Sequence, residues 1–143
     1  MTTEQVATFL QRIDKLTSNH KGSFGVMNVN QMVCHCTDQL RIAMGKITLG
    51  DQGVFNLREI IDSARAGHSV PTPKGLGQVE GDGTSPTTFE HDKETLRNYI
   101  LDFSRLPNDF DYYPHPYFGK IDRNQWTNLV IYHLNHHLKQ FNV

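Results

Sequence analysis

Four stretches of this chain repeat their apolar residues at helical spacing, and no stretch of useful length alternates at the strand period. That pattern constrains the fold more than any other feature, because stripes of this kind are buried only by packing helices on helices. The first stretch runs from about Thr3 to Leu16, with Val6, Phe9, Leu10, Ile13 and Leu16 on one face. The second starts after Asn28, a good N-cap, and reaches about Lys46. Its stripe is Val29, Met32, Val33, Cys36, Leu40, Ala43 and Ile47, close to a and d heptad positions, and Gly45 and Gly50 mark its end. The third spans about Glu90 to Arg105, carries Leu96, Ile100 and Phe103, and is stopped by Leu106-Pro107-Asn108. The fourth opens on the capping box Asp122-Arg123-Asn124-Gln125, with Ile121 placed to staple onto Trp126, and continues to about Gln140. A shorter helix is expected from Asn56 to Ala66, ahead of Gly67. Between Gly67 and Thr88 lies a glycine-rich segment that also holds Pro71, Pro73 and Pro86, which must be irregular. The expected fold is all-α: a four-helix bundle with a short extra helix and a long Gly/Pro-rich loop, in one domain covering residues 1–143.

Composition narrows the function classes. The formal charge is −1 and no block of Lys and Arg occurs, which argues against binding nucleic acid through its phosphates. No apolar run approaches the ~20 residues that span a bilayer, and the first residues lack the basic and apolar regions of a signal peptide. A cytoplasmic protein is expected. Cys34 and Cys36 point about 200° apart on a helix, so they cannot bridge each other. Cys34 faces away from the stripe and Cys36 reads as small core filler.

The histidines carry the chemistry. In His133-Leu134-Asn135-His136-His137-Leu138, two imidazoles stand four residues apart, about 20° either side of the centre of the Trp126, Leu129, Val130, Leu134, Phe141 stripe. Such imidazoles have Cβ atoms ~5–6 Å apart and reach one ion at ~2.0–2.1 Å. Buried without a ligand, they must satisfy four ring nitrogens between them. A third ligand must come from another helix, and His35 is the best candidate, about 110° from the centre of the second stripe on the border that faces a neighbouring helix. The plainer reading is that all three are hydrogen-bonded core histidines. His136 lies about 80° off the last stripe and belongs at the surface or just behind the ligands. His20, His68 and His91 read as ordinary loop or helix-start residues, and His115 as part of a rigid His-Pro-Tyr-Phe-Gly turn before the last helix, the alternative being a place at the pocket mouth. HExxH and CxxC are both absent.

The run Asn28-Val29-Asn30-Gln31-Met32-Val33-Cys34-His35-Cys36-Thr37-Asp38-Gln39 resembles the second helix of the DinB-like (YfiT-type) metal-dependent superfamily. The block from His115 through Trp126 to Phe141 resembles a DinB-related branch of uncharacterised proteins. This resemblance implies a four-helix bundle holding a divalent metal through one histidine of the second helix and two of the last, here His35, His133 and His137. Some members use low-molecular-weight thiols in transfer or isomerisation reactions. The Gly/Pro-rich segment departs from the usual pattern, which puts a borrowed substrate in doubt.

Three neutral imidazoles leave a divalent ion an open position, the mark of a catalytic rather than a closed site, and all-nitrogen ligation suits Zn, Ni or Fe among others. One expectation is a metal-dependent thiol transferase or hydrolase acting on a small molecule that enters between the 67–88 segment and the bundle end. The alternative is a metal- or small-molecule-binding bundle without catalysis; a third is a helical dimerisation domain with core histidines. Gln31, Asp38, Gln39 and Gln140 lie on turns from which they could orient the imidazoles.

Overall fold

A computed structural model describes residues 1–50, 59, 60, 62, 63, 66 and 72–143. It holds the four expected helices: α1 (Thr3–Asp14), α2 (Val29–Ala43), α3 (Phe89–Ser104) and α4 (Arg123–Gln140). No strand occurs among the described residues; His115 and Gly119 form an isolated antiparallel bridge within one turn. The helix expected over 56–66 falls mostly outside the described residues, of which Glu59, Ile60, Asp62 and Ser63 are helical. No helix among the described residues is long and apolar enough to cross a membrane.

Local chemistry sets the helix ends. Asn28 and Asp122 accept from the backbone N–H of Gln31 and Gln125, and each glutamine side chain accepts in return from the N-cap N–H. These reciprocal capping boxes satisfy donors that a helix start otherwise leaves open. Thr2 and Gln5 do the same for α1. At the far end of α2, Gly45 takes φ +68°, its N–H donates to Ile42 O, and the Lys46 N–H donates to Arg41 O. This is a Schellman turn, which ends the helix at Ala43, short of the expected Lys46. Asn142 (φ +58°) does the equivalent work after α4, where the Val143 N–H donates to Leu138 O.

The helices pack α2 on α3, α2 on α4, α1 on α3 and α1 on α4. Among the described residues α1 and α2 therefore stand at opposite corners of the bundle, as do α3 and α4. The core contains Phe9, Ile13, Met32, Leu40, Leu96, Ile100, Phe103, Trp126, Val130, Leu134 and Phe141. The indole N–H of Trp126 donates to Tyr113 O at 3.2 Å, so the largest core side chain buries no unpaired donor.

Cys34 lies off the apolar stripe and is nonetheless buried, as are Thr37, Asp38, Gln39 and Ile42. The stripe marks only the face of α2 turned to the bundle. Residues 72–88, free of helix and strand, lie along the other side, hydrogen-bonded to it from Asn30 (to Thr87 O), Gln31 (to Gln78 O), His35, Asp38 and Arg41 (to Thr84). Burial, with the nearby Asp92 carboxylate adding to it, pushes the Cys34 thiol up to about 12, so it is neither a nucleophile nor a ready metal ligand at neutral pH.

Candidate metal centre

The α2–α4 interface brings His35, His133 and His137 together, with one ring nitrogen of each within 4.8 Å of the others. His35 Nε2 and His133 Nε2 stand 2.9 Å apart. Two nitrogens bound to one ion at about 2.0–2.1 Å stand about 2.9–3.4 Å apart for ligand angles between a right angle and tetrahedral. The His35–His133 separation falls at the lower end of that range, and His137 would draw in toward the pair. The three rings contact one another edge-on or tilted, with centroids 4.5–4.9 Å apart. The helical spacing explains the α4 half of the group, since His133 and His137 lie one turn apart on the face that α4 turns to α2.

Proton bookkeeping shows which nitrogens are free. His35 Nδ1 faces two acceptors, Leu76 O at 3.2 Å and Gln78 Oε1 at 3.0 Å, and so donates. The Gln78 amide is turned this way because its nitrogen donates to Asp38 Oδ2 at 2.6 Å. Asp38 is fully buried and also accepts from the Thr84 N–H and hydroxyl and from Arg41 Nη1 at 2.7–3.1 Å, so both of its oxygens are occupied. On α4, His137 Nδ1 donates to Gln140 Oε1 at 2.9 Å, and the Gln140 amide nitrogen donates to Phe24 O at 2.7 Å. In a neutral imidazole whose Nδ1 donates, Nε2 carries the lone pair. His35 and His137 are thus fixed with the lone pair on Nε2, and in His35 that atom faces His133 Nε2. His133 Nδ1 is buried with no partner. A hydrogen bond from His133 Nε2 to His35 would leave that Nδ1 a bare acceptor at a cost of about 1–3 kcal/mol, and the opposite tautomer would set two lone pairs face to face. A cation between the Nε2 atoms removes the second conflict, and the donor set fits a divalent transition metal.

Electrostatics hold the group neutral. Burial lowers the pKa of all three imidazoles. In His133 the effect is large, with protonation of His137 and His35 next opposing a further charge. His137 is pushed down to about 3, first by burial and then by His35. Ligands held in the neutral form lose no proton when they bind.

Of the candidate orienting residues, Gln140 contacts an imidazole directly, Asp38 acts through Gln78, and Gln31 donates to the Gln78 carbonyl. Gln39 is buried, and no hydrogen bond from it to an imidazole is found among the described residues. Gln78 is the residue that sequence reasoning missed; its one signal is its position as a lone amide among Gly75, Gly77, Gly81 and Gly83. Those glycines matter. A Cβ on Gly83 would lie 2.4 Å from Gln78 Nε2, and the Asp82 carboxylate ties the turn by accepting from the Gly75 and Gly77 N–H groups. This part of the segment supports His35.

The other histidines stay outside the trio. His136 is exposed, and His91 lies on the surface of α3. His20 bonds locally to Thr17, and His68 lies outside the described residues. His115 is half-buried in its turn, where Nδ1 accepts from the Tyr117 N–H and the ring stacks on Phe118, and burial pushes its pKa down to about 4.

A family model described as a protein of unknown function (DUF1569) matches residues 89–143. The match spans α3 and α4, hence His133 and His137, and stops short of α2 and His35. Neither the curated proteins nor the solved structures give a match to the chain.

Proposed function

We propose that the protein binds one divalent transition-metal ion through His35, His133 and His137 and presents its open side to a small substrate. The observation that carries this reading is the convergence of the three imidazoles, two of them fixed from behind as Nε2 acceptors by Gln78 and Gln140. The resemblance of the α2 and α4 histidine helices to DinB-like proteins supports the same reading. When bound, an ion held by three neutral imidazoles acidifies a water or thiol at its open position. The protein's own part is to keep the ligands neutral and aimed. Burial withholds protons from the imidazoles, Asp38 anchors Gln78, and the backbone carbonyl of Phe24 anchors Gln140. This arrangement supports a metal-dependent thiol transferase or hydrolase as the activity. The second reading, a binding bundle without turnover, is favoured by one observation: among the described residues the converging group is made of histidines alone, with no carboxylate in it.

The test is metal content by elemental mass spectrometry on untagged wild type and on His35→Ala, His133→Ala and His137→Ala. About one ion per wild-type chain, lost in all three variants, is expected. A wild type that stays empty after exposure to Zn, Ni and Fe would return the histidines to a structural role. A loaded wild type that shows no turnover of thiols with electrophiles, or of esters and amides, would select the second reading.

A further inference from the structure

Large apolar side chains exposed singly are ordinary on a protein surface, but their distribution here is not scattered. Among the described residues the exposed ones are Phe24, Val26, Val79 and Tyr132, and each belongs to a segment that builds the histidine site. Phe24 supplies the carbonyl that anchors Gln140, and Val26 follows two residues later. Val79 adjoins Gln78, and Tyr132 adjoins His133 on α4. Two of them make a wall with His136. The Phe24 ring meets the His136 imidazole edge-on at 5.3 Å, and the Tyr132 ring lies nearly parallel to the same imidazole, 19° off, at 6.4 Å. His136 in turn meets His137 at 4.9 Å. A continuous run of rings thus leads from solvent at Phe24 and Tyr132 to the His137 ring. Phe24 and Tyr132 are 43% and 52% exposed, so neither is needed to fill the core.

We infer that the site takes a small aromatic anion, its thiolate or other anionic donor directed to the three histidines and its flat apolar body lying on Phe24, His136 and Tyr132. This inference rests on the metal-binding reading above and adds to it the class of ligand. An anionic head suits the centre because the ligands bring no charge of their own and Asp38, the nearest buried carboxylate in the network, is already saturated with donors. A flat apolar body suits the wall because aromatic rings stack or meet edge-on at the spacings these side chains already adopt.

The experiment uses cobalt(II)-loaded protein, whose visible spectrum changes when a thiolate enters the coordination sphere, titrated with 2-mercaptoethanol and with benzyl mercaptan. Benzyl mercaptan is expected to bind at least about tenfold more tightly, and Phe24→Ala and Tyr132→Ala are each expected to cut that ratio to about threefold or less. The ratio within each variant is the quantity read, so a general change in cobalt affinity does not enter it. Ring-proton shifts of Phe24 and Tyr132 on adding benzyl mercaptan give a second readout that does not depend on the metal's spectrum. Equal affinity for the two thiols, or a preference that survives both substitutions, would overturn the inference while leaving the metal site standing. Failure of the wild type to take up cobalt, together with Zn, Ni and Fe, would overturn both.

Discussion

His35 takes its orientation from Leu76 and Gln78, 41 and 43 residues along the chain, whereas His137 takes its own from Gln140, three residues away on the same helix. The two devices use the same side chain. Each is a glutamine whose amide oxygen accepts from Nδ1 and whose nitrogen is tied off elsewhere, to the Asp38 carboxylate in one case and to the Phe24 carbonyl in the other. Each glutamine is also hemmed in by a glycine, since a Cβ on Gly83 would lie 2.4 Å from Gln78 Nε2 and one on Gly25 would lie 2.5 Å from Gln140 Nε2. What differs is when each device exists. The His137–Gln140 contact is local to α4, with the Phe24 carbonyl as its one distant tie, while the α2 ligand is aimed only after residues 72–88 have folded onto α2. Metal binding should therefore be coupled to the order of that segment more strongly than to the α4 terminus.

The comparison can be broken first at the ligands themselves. His35→Ala, His133→Ala or His137→Ala should each abolish metal-linked stabilisation, about 3–4 kcal/mol at 100–1,000 times the dissociation constant, while His136→Ala keeps it. Melting temperatures with and without chelator read this directly, and equal loss in His136→Ala would show that the faces of α4 are misassigned. Next in size is Asp38→Ala, which strands Gln78, Thr84 and Arg41 together and should cost about 3 kcal/mol of metal-free stability in denaturant titrations. Gln140→Ala removes one neutral anchor and should cost only about 1 kcal/mol in the same titrations. Equal costs would mean the long-range device is no more cooperative than the local one.

A finer probe is Gly83→Ala, which drives a methyl into Gln78 and should weaken metal affinity by about 10–100-fold with α-helical content intact. Isothermal titration against Gly83→Ala and Gln78→Leu should find similar losses, because both act through the aim of His35. A separate effect concerns acid. The buried His115 imidazole stays neutral down to about 4, against an ordinary 6.5 in the unfolded chain, so between those values the unfolded state binds more protons. Metal-free stability should be full above about pH 6.5 and fall as the pH drops toward 4, and His115→Gln should flatten part of that fall in urea titrations. A pH profile unchanged by the substitution would place the acid sensitivity elsewhere.

What the sequence shows of this molecule is what short-range rules govern. Asn28 with Gln31, Asp122 with Gln125 and His133 with His137 are pairs three or four residues apart, and each does in the structure what its spacing implies. Gln140, three residues from His137, was within reach of the same reasoning. Cys34 and Gln78 were not. Their surroundings depend on residues 72–88 lying along α2, a contact between distant segments that periodicity does not encode, so a position off the apolar stripe reads as exposed when it is covered. His35 was legible as a candidate, but the hydrogen bonds that aim it were not, for the same reason.

The central claim is that three imidazoles share one ion. X-ray absorption at the metal edge of the loaded wild type, with His35→Ala beside it, tests this most directly. The account predicts a shell containing three imidazole nitrogens at about 2.0–2.1 Å in the wild type, and no such three-imidazole shell in the variant. A wild-type shell of oxygen or sulfur with fewer than two imidazoles, or one unchanged by losing His35, would contradict it.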